Sequence, residues 1–288
     1  MPPVLTFARL TVWEISRRRL LIALAALTLI LIVATSWGFS KLNDAGLNGG
    51  HPLGEAEVRV LASQLLILVA FLFSGVLALS AAFVGAPSLS ADLESNLALA
   101  LLARPVRRAD YVLGKWLGMA VLVVIYAAGT GLLAVLGVWI ATRYAPPNVA
   151  GLVVSVAGEG LVVLTLALLL STRVPGMTGG IVALVLWFMA WMGGIAGGIG
   201  QALENGALTT AGVVMGLVFP TDALWRSAVY SMEPVAVVVG LQEAGRTGLA
   251  ANPFAATQPI PLGVLVWSIV WVLAALALAV VSFGSREI

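Results

Sequence analysis

The chain has no cysteine and only one histidine, His51, among its 288 residues. The absence of cysteine excludes disulfides, thiolate metal sites and thiol nucleophiles within this chain. A single histidine also argues against a transition-metal site, and the seven methionines are scattered in a way typical of packing. His51 lies in a Gly-Pro loop, where we expect it to be exposed. We therefore predict neither a catalytic residue nor a metal ligand.

Charge is also scarce. Only 10% of the residues are charged and 61% are hydrophobic, with a mean hydropathy of +1.07, whereas a soluble domain carries about 25% charged residues. The net charge of +2 is too small to indicate a nucleic-acid partner. Six apolar stretches are long enough, or nearly so, to cross a bilayer as helices of about 20 residues: 20–39, 60–84, 116–140, 151–170, 181–200 and 261–283. Since barrel strands would be shorter and alternating, we predict an all-α integral membrane protein with six spans.

Basic residues indicate the orientation. Arg17–Arg19 precede the first apolar stretch, as in a signal peptide, but this stretch is longer than a signal sequence uses, so we expect an uncleaved helix. With the N-terminus inside, the inner segments hold ten basic residues and the outer segments hold the remaining five. The positive-inside rule then places both termini and the segment 85–115 in the cytoplasm. The expected location is the cytoplasmic (inner) membrane.

Two further segments have helical patterns. In residues 4–19, Leu5, Ala8, Val12 and Ile15 share a helical stripe, which favours an interfacial amphipathic helix; the alternative is an extension of the first span. The outer segment 201–260 contains apolar pieces that stop at prolines 220 and 234 and are too short to cross. We expect interfacial or re-entrant helices there, one of them capped by residue 221 or 222 and running to residue 230.

The stretch 88–108 holds an apolar run of seven residues between acids and arginines. We predict a short helix in which Ser90 is the N-cap, Asp92 and Glu94 occupy the first turn, and Pro105 ends it. Leu89, Leu93, Leu97 and Ala100 share a face that can lie against the cytoplasmic ends of the spans, while the charged side chains face the cytosol. A loop helix that only fixes the topology is the alternative.

The order of residues around this stretch resembles the cytoplasmic signature of type-2 ABC transporter permeases. The matching residues are Asp92, Glu94, Leu101, Leu102, Arg104, Pro105, Arg108, Gly114 and Lys115, whereas Asn96 and Leu97 stand where the family has Gly-Thr. The resemblance implies that 88–108 is a coupling helix that docks on a separate ABC ATPase subunit. It makes Asp92, Glu94, Leu97, Arg104, Arg107 and Arg108 the expected ATPase-coupling residues. It also implies a second permease copy, as a homodimer, or a paralogue.

The chain contains no phosphate-binding loop of the GxxxxGK[ST] type, so ATP hydrolysis would belong to another chain. We expect this protein to be no enzyme itself and to bind no cofactor, with ATP and Mg held by the partner ATPase.

Glu159 is the one carboxylate well inside a predicted span. Burying it costs about 2.5–3.5 kcal/mol on insertion scales, so it should face the bundle, water or a partner. A site for a substrate cation or a proton is one interpretation. The other is a kink between Gly158 and Gly160, with the fourth helix bending or beginning there.

The fifth predicted span carries two small-xxx-small pairs, Gly193 with Gly197 and Gly194 with Gly198. Such pairs allow close helix packing, either within one subunit or across a dimer. The resemblance implies that the second and fifth spans line a central cavity. The substrate-cavity candidates are therefore Phe71, Phe73, Glu159, Trp187 and Trp191, against the alternative that these aromatics face lipid or the interface.

The sequence thus favours the permease subunit of an ABC exporter that moves a hydrophobic or amphipathic substrate out of the cytoplasm. Two alternatives remain at this point. One is a membrane anchor or scaffold whose segment 201–260 holds an extracytoplasmic partner. The other is a secondary transporter that uses Glu159.

Overall fold

The structure is a computed structural model that describes residues 3–17, 19–42, 54–95, 107–243, 252 and 254–285. These residues form eleven α-helices and no strand. In chain order the helices are α1 (Pro3–Ser16), α2 (Arg19–Leu42), α3 (Glu55–Gly85), α4 (Pro87–Glu94), α5 (Arg108–Thr142), α6 (Val149–Ser171), α7 (Gly176–Ala202), α8 (Gly206–Val218), α9 (Thr221–Met232), α10 (Val235–Glu243) and α11 (Leu262–Gly284). The predictions for His51, Leu97, Ala100, Arg104 and Pro105 lie outside the described residues.

Five helical segments are long and apolar enough to cross a membrane: α3 together with α4, α5, α6, α7 and α11. They coincide with five of the six predicted spans. The remaining predicted span, 20–39, lies in α2, whose described apolar part is Ala26–Gly38. The predicted all-helical membrane fold is confirmed.

The centre of the bundle is α6. Of its most apolar stretch 72% is buried, against 22% for α11. A helix that is apolar all round is stable only when other helices surround it, and α6 packs against α3, α5, α7, α9 and α11. A polar side chain on α6 is therefore enclosed by protein.

The short helix α4 continues α3. Only Ala86 separates them, and its φ of −62° and ψ of −42° are helical. Because the chain enters α4 already helical, the predicted cap at Ser90 is wrong: Ser90 is buried and its hydroxyl donates to the carbonyl of Ala86 at 3.3 Å. Asp92 and Glu94 lie in the last turn, not the first. Leu89 is fully buried, as predicted.

The N-terminal helix α1 is separate from α2 and lies along the first turns of α5, so the predicted alternative of a continuous extension is wrong. Its buried residues are Ala8, Thr11 and Ile15, whereas Leu5 is 49% exposed. Ala8 and Ile15 of the predicted stripe thus contact protein, and the interfacial position of α1 stays a prediction.

Glycines on α5 decide which face of α1 is buried. A Cβ at Gly114 would lie 2.5 Å from the Cβ of Phe7, and one at Gly118 would lie 2.6 Å from the carbonyl oxygen of Ala8. This Gly-xxx-Gly pair lets the two backbones touch. The close contact therefore buries the face of α1 that carries Ala8 and Thr11 and leaves Leu5 exposed.

The outer segment contains the predicted short helices. Helices α8 and α9 meet at a bend of 94°, which makes them a broken span or a re-entrant pair. Helix α9 begins at Thr221 with Pro220 at the N-cap, so neither of the two predicted residues is its cap, and it ends at Met232.

The glycine pairs of α7 pack within the chain. A Cβ at Gly193 would lie 2.6 Å from the Cβ of Met215, and one at Gly197 would lie 3.1 Å from Gly212. Gly194 faces the carboxylate of Asp222. This glycine stripe is thus covered by α8 and α9, and of the two predicted uses the packing inside one subunit is the one observed.

Candidate functional site

The first candidate site is an ion-pair cluster where α4 meets the start of α5. The ammonium of Lys115 contacts the carboxylate of Asp92 and also donates to the carbonyl of Ser88 at 2.6 Å. The hydroxyl of Tyr111, one turn before Lys115 on α5, donates to the same carboxylate oxygen of Asp92. We call these three side chains, Asp92, Tyr111 and Lys115, the latch. It ties the end of α4 to α5 through one shared carboxylate.

The latch also contacts the first and the last helix, α1 and α11. The ring of Phe7 on α1 packs edge-on against Tyr111 with centroids 5.2 Å apart, and the ring of Phe283 on α11 lies 5.8 Å from Tyr111. Arg108 donates from Nη1 to the carbonyl of Gly284 at 2.9 Å. Four helices therefore meet at Tyr111 and Arg108.

Two charged residues that were expected to face the cytosol contact other helices instead. Asp92 was expected to face the cytosol, but it is turned toward α5 because Lys115 and Tyr111 share the face that α4 covers. Arg108 is held by the end of α11. By contrast, Glu94 and Arg107 are exposed, as expected.

The second candidate site is Glu159, midway along α6. Its side chain is only 3% exposed. The hydroxyl of Ser74 on α3 donates to Oε2 and the indole of Trp187 on α7 donates to Oε1, each at 2.7 Å. In the described part of the chain no basic side chain pairs with Glu159. Among the described residues, the carboxylate thus has two neutral hydrogen-bond donors and no counter-charge.

The fourth span does not begin at Glu159, which was one form of the second interpretation. Helix α6 runs unbroken from Val149 to Ser171. A Cβ at Gly160 would lie 2.8 Å from both Leu77 and Val123. The glycine therefore serves close packing of α6 against α3 and α5.

Most of the predicted cavity residues come together beside Glu159. The ring of Phe71 lies 5.3 Å from Trp191 and 6.4 Å from Trp187, centroid to centroid. Two residues from the outer segment, Trp225 and Phe254, each lie 5.3 Å from Phe71. The rings of this aromatic cluster lie on α3, α7 and α9 and at residue 254, which precedes α11.

Phe73 does not belong to this cluster. It is buried and faces Leu66, Thr130 and Leu152 between α3, α5 and α6. Since Phe71 and Phe73 are two residues apart on a helix, they cannot share a face. Phe73 is a core residue.

Sequence reasoning missed Asp222 and Arg226. They form an ion pair one turn apart on α9, with Nε 2.8 Å from Oδ2. The buried atoms Asp222 Oδ1, Arg226 Nη2, Thr221 Oγ1 and Trp191 Nε1 have no hydrogen-bond partner among the described residues. The spacing of four residues between acid and base was the available signal, since it suits a helix.

A third buried carboxylate, Glu233, follows the end of α9. It is fully enclosed, and the amide of Ala256 donates to Oε2 at 3.3 Å. Burial raises the pKa of Glu233 to about 7, partly offset by that hydrogen bond. Burial, aided by the charge of Glu233, also raises the pKa of Tyr144, whose hydroxyl donates to the carbonyl of Met232 at 2.6 Å.

These features define an all-helical, multi-pass membrane protein in which a short helix is latched to the ends of other helices and a carboxylate is enclosed midway along the central one. A family model described as ABC-2 family transporter protein matches residues 13–288. The chain therefore belongs to the ABC-2 family and is a membrane permease subunit of an ABC transporter, not its ATPase. The family implies an ABC ATPase partner. No curated protein matches the chain.

Proposed function

We propose that the protein is the permease subunit of an ATP-driven exporter that moves a hydrophobic or amphipathic substrate out of the cytoplasm. Two copies, or one copy and a paralogue, would assemble with two ATPase subunits that bind ATP and Mg. Both termini would lie in the cytoplasm, as the ten-to-five distribution of basic residues supports. In the same orientation the latch lies on the cytoplasmic side.

The observation that carries this proposal is the latch. Because α4 continues α3 without a break, a displacement of α4 moves the cytoplasmic end of α3. Because Lys115 and Tyr111 hold Asp92, the same displacement moves α5. Through Tyr111 and Arg108 it also reaches α1 and α11. A soluble subunit that displaces α4 would therefore act on several helices at once.

The latch changes the roles within the coupling element. Asp92 and Arg108 position helices, whereas Glu94 and Arg107 are exposed and available to a partner. The expected contacts of Leu97 and Arg104 remain part of the proposal. Exposed ion pairs contribute about 0–1 kcal/mol each, so docking must also use apolar contacts of the segment 88–108. ATP drives the change because it binds one state of the complex better than the other.

The test reverses the exposed charge on α4. In Glu94→Arg, we expect less ATPase subunit to co-purify with the permease, or ATP hydrolysis that no longer drives transport. Glu55→Arg is the matched control, since Glu55 is an exposed glutamate at the opposite end of the same helical rod. If Glu94→Arg and Arg107→Glu both retain full complex formation and coupled transport, the segment 88–108 is not the coupling element.

A second function is the handling of a proton or cation at Glu159. It is favoured because this carboxylate is buried with no basic partner in the part of the chain that the structure describes. The aromatic cluster beside it would suit a hydrophobic cation, because aromatic faces attract cations. In Glu159→Gln the amide oxygen can still accept from the indole of Trp187, and the hydroxyl of Ser74 can turn to accept from the amide NH2. Assembly should therefore persist while transport is lost. Normal transport by this variant would leave Glu159 a structural role only.

A further inference from the structure

An apolar cavity of about 360 Å³ lies between α1, α2, α3, α5 and α6. Ile15 closes its end at α1, Leu77 and Val84 of α3 form one wall, and Met119 and Tyr126 of α5 form another. Its size lies within the range of about 300–1,000 Å³ for ligand pockets. It lies apart from both the latch and the aromatic cluster.

The cavity opens sideways. Ile22 on α2 and Ile125 on α5 line it, and these two side chains are 62% and 61% exposed. Apolar residues exposed on membrane helices face lipid tails, so the cavity is reached from the bilayer rather than from water. Its span along α5, from Met119 to Tyr126, corresponds to about 10 Å of helix. An acyl chain in one leaflet is long enough to fill it.

A basic residue follows the α1 end of the cavity. Ser16 lines its α1 end, and Arg17 follows directly, exposed and stacked on Trp13 with the guanidinium carbon 4.2 Å from the ring centroid. Arg18 and Arg19 follow in the sequence. A basic side chain at the edge of the hydrocarbon region, such as that of Arg17, attracts anionic headgroups. In the orientation under Proposed function, on which this inference rests, the α1 end of the cavity lies in the cytoplasmic leaflet.

We propose that this cavity is a binding site for one anionic phospholipid of the cytoplasmic leaflet. One acyl chain fills the cavity between α2, α3 and α5, and the phosphate lies at Arg17. The lipid fills the space between α2 and the rest of the bundle, where α1 also ends. It is a resident lipid, not the exported molecule.

The experiment uses purified permease without its ATPase, so its result does not depend on transport. The protein is incubated in detergent with phosphatidylglycerol or phosphatidylcholine, and retained lipids are counted by native mass spectrometry. We expect one retained phosphatidylglycerol per chain, in preference to phosphatidylcholine. Arg17→Gln should reduce this preference roughly fivefold, the effect of one basic residue near a lipid surface. Arg59→Gln, at the far end of α3, is the charge control.

A second pair of variants tests the cavity itself. Ser80→Phe places a ring inside the cavity and should abolish retention of either lipid. Leu132→Phe, on the exposed surface of α5 outside the cavity, should retain the lipid. Equal retention of the two lipids by the unmodified protein, or unchanged retention in Ser80→Phe, would overturn the proposal. So would loss of the bound lipid during ATP turnover in the full complex, since that outcome would make the ligand an exported amphiphile.

Discussion

Replacing Lys115 with methionine leaves the carboxylate of Asp92 buried with the hydroxyl of Tyr111 as its remaining described partner. The side chains of Lys115 and Asp92 are only 9% and 16% exposed, so solvent screens the pair weakly. Removing one partner of a buried ion pair costs about 3–5 kcal/mol, because the other charge stays desolvated and unpaired. We expect Lys115→Met to destabilise the fold by about 3 kcal/mol, and Asp92→Leu by a similar amount.

The double variant Asp92→Leu, Lys115→Met removes both buried charges together. Replacing a whole buried pair by apolar residues is often neutral or stabilising. Here the hydroxyl of Tyr111 loses its acceptor and the carbonyl of Ser88 loses the ammonium as donor, and each unsatisfied buried group costs about 1–3 kcal/mol. The double variant should therefore be at least as stable as either single variant, which is strong coupling between the two sites.

Reversible unfolding of the purified permease in mixed micelles measures these free energies. The exposed pair of Arg59 and Glu55, with side chains 64% and 93% exposed, provides the control. Arg59→Met should cost less than about 0.5 kcal/mol. If the two single latch variants cost as little as this control, or if the costs simply add in the double variant, the reasoning about a buried latch is refuted.

Three further predictions follow from contacts elsewhere. Gly118→Val should displace α1 from α5 and expose α1 to protease, since its Cβ would lie 2.6 Å from a carbonyl oxygen, whereas Gly129→Val, which meets nothing within 4 Å, should not. Glu233 has a raised pKa of about 7 instead of 4.5. Its ionisation therefore lowers the free energy of unfolding by up to about 3 kcal/mol above pH 7, and this loss is absent below pH 4.5. The melting temperature should therefore rise on acidification from pH 8 to pH 5.5 and become less pH-dependent in Glu233→Gln; an unchanged pH profile would contradict this. Because the chain has no cysteine, a single introduced cysteine reports which side of the membrane it lies on. Ser95→Cys should react with an impermeant thiol reagent only from the cytoplasmic side, and Gln201→Cys only from outside. The reverse pattern would reject the orientation.

The helices and the family could be predicted from the sequence because both depend on local information. A run of about 20 apolar residues must form a helix in a bilayer, whatever its neighbours are, since lipid leaves no other partner for the backbone. This is why five of the described helices cover predicted spans. The break between α8 and α9 likewise falls at a proline, Pro220, which was visible in the sequence. The signature around Lys115 likewise indicated the family from residue order alone.

What each polar side chain contacts was decided only by the tertiary structure. Asp92 meets Lys115 and Tyr111, and Glu159 meets Ser74 and Trp187, because the packing of α3 to α7 brings together residues 19 to 85 positions apart. The pattern within one helix cannot contain that information. The buried face of α1 could not be predicted from the sequence for the same reason. It is set by the close approach of α1 to Gly114 and Gly118 on α5, not by which face of α1 is most apolar. Hydropathy is a sum over neighbouring residues, whereas ion pairs and close backbone contacts depend on which helices become neighbours in space.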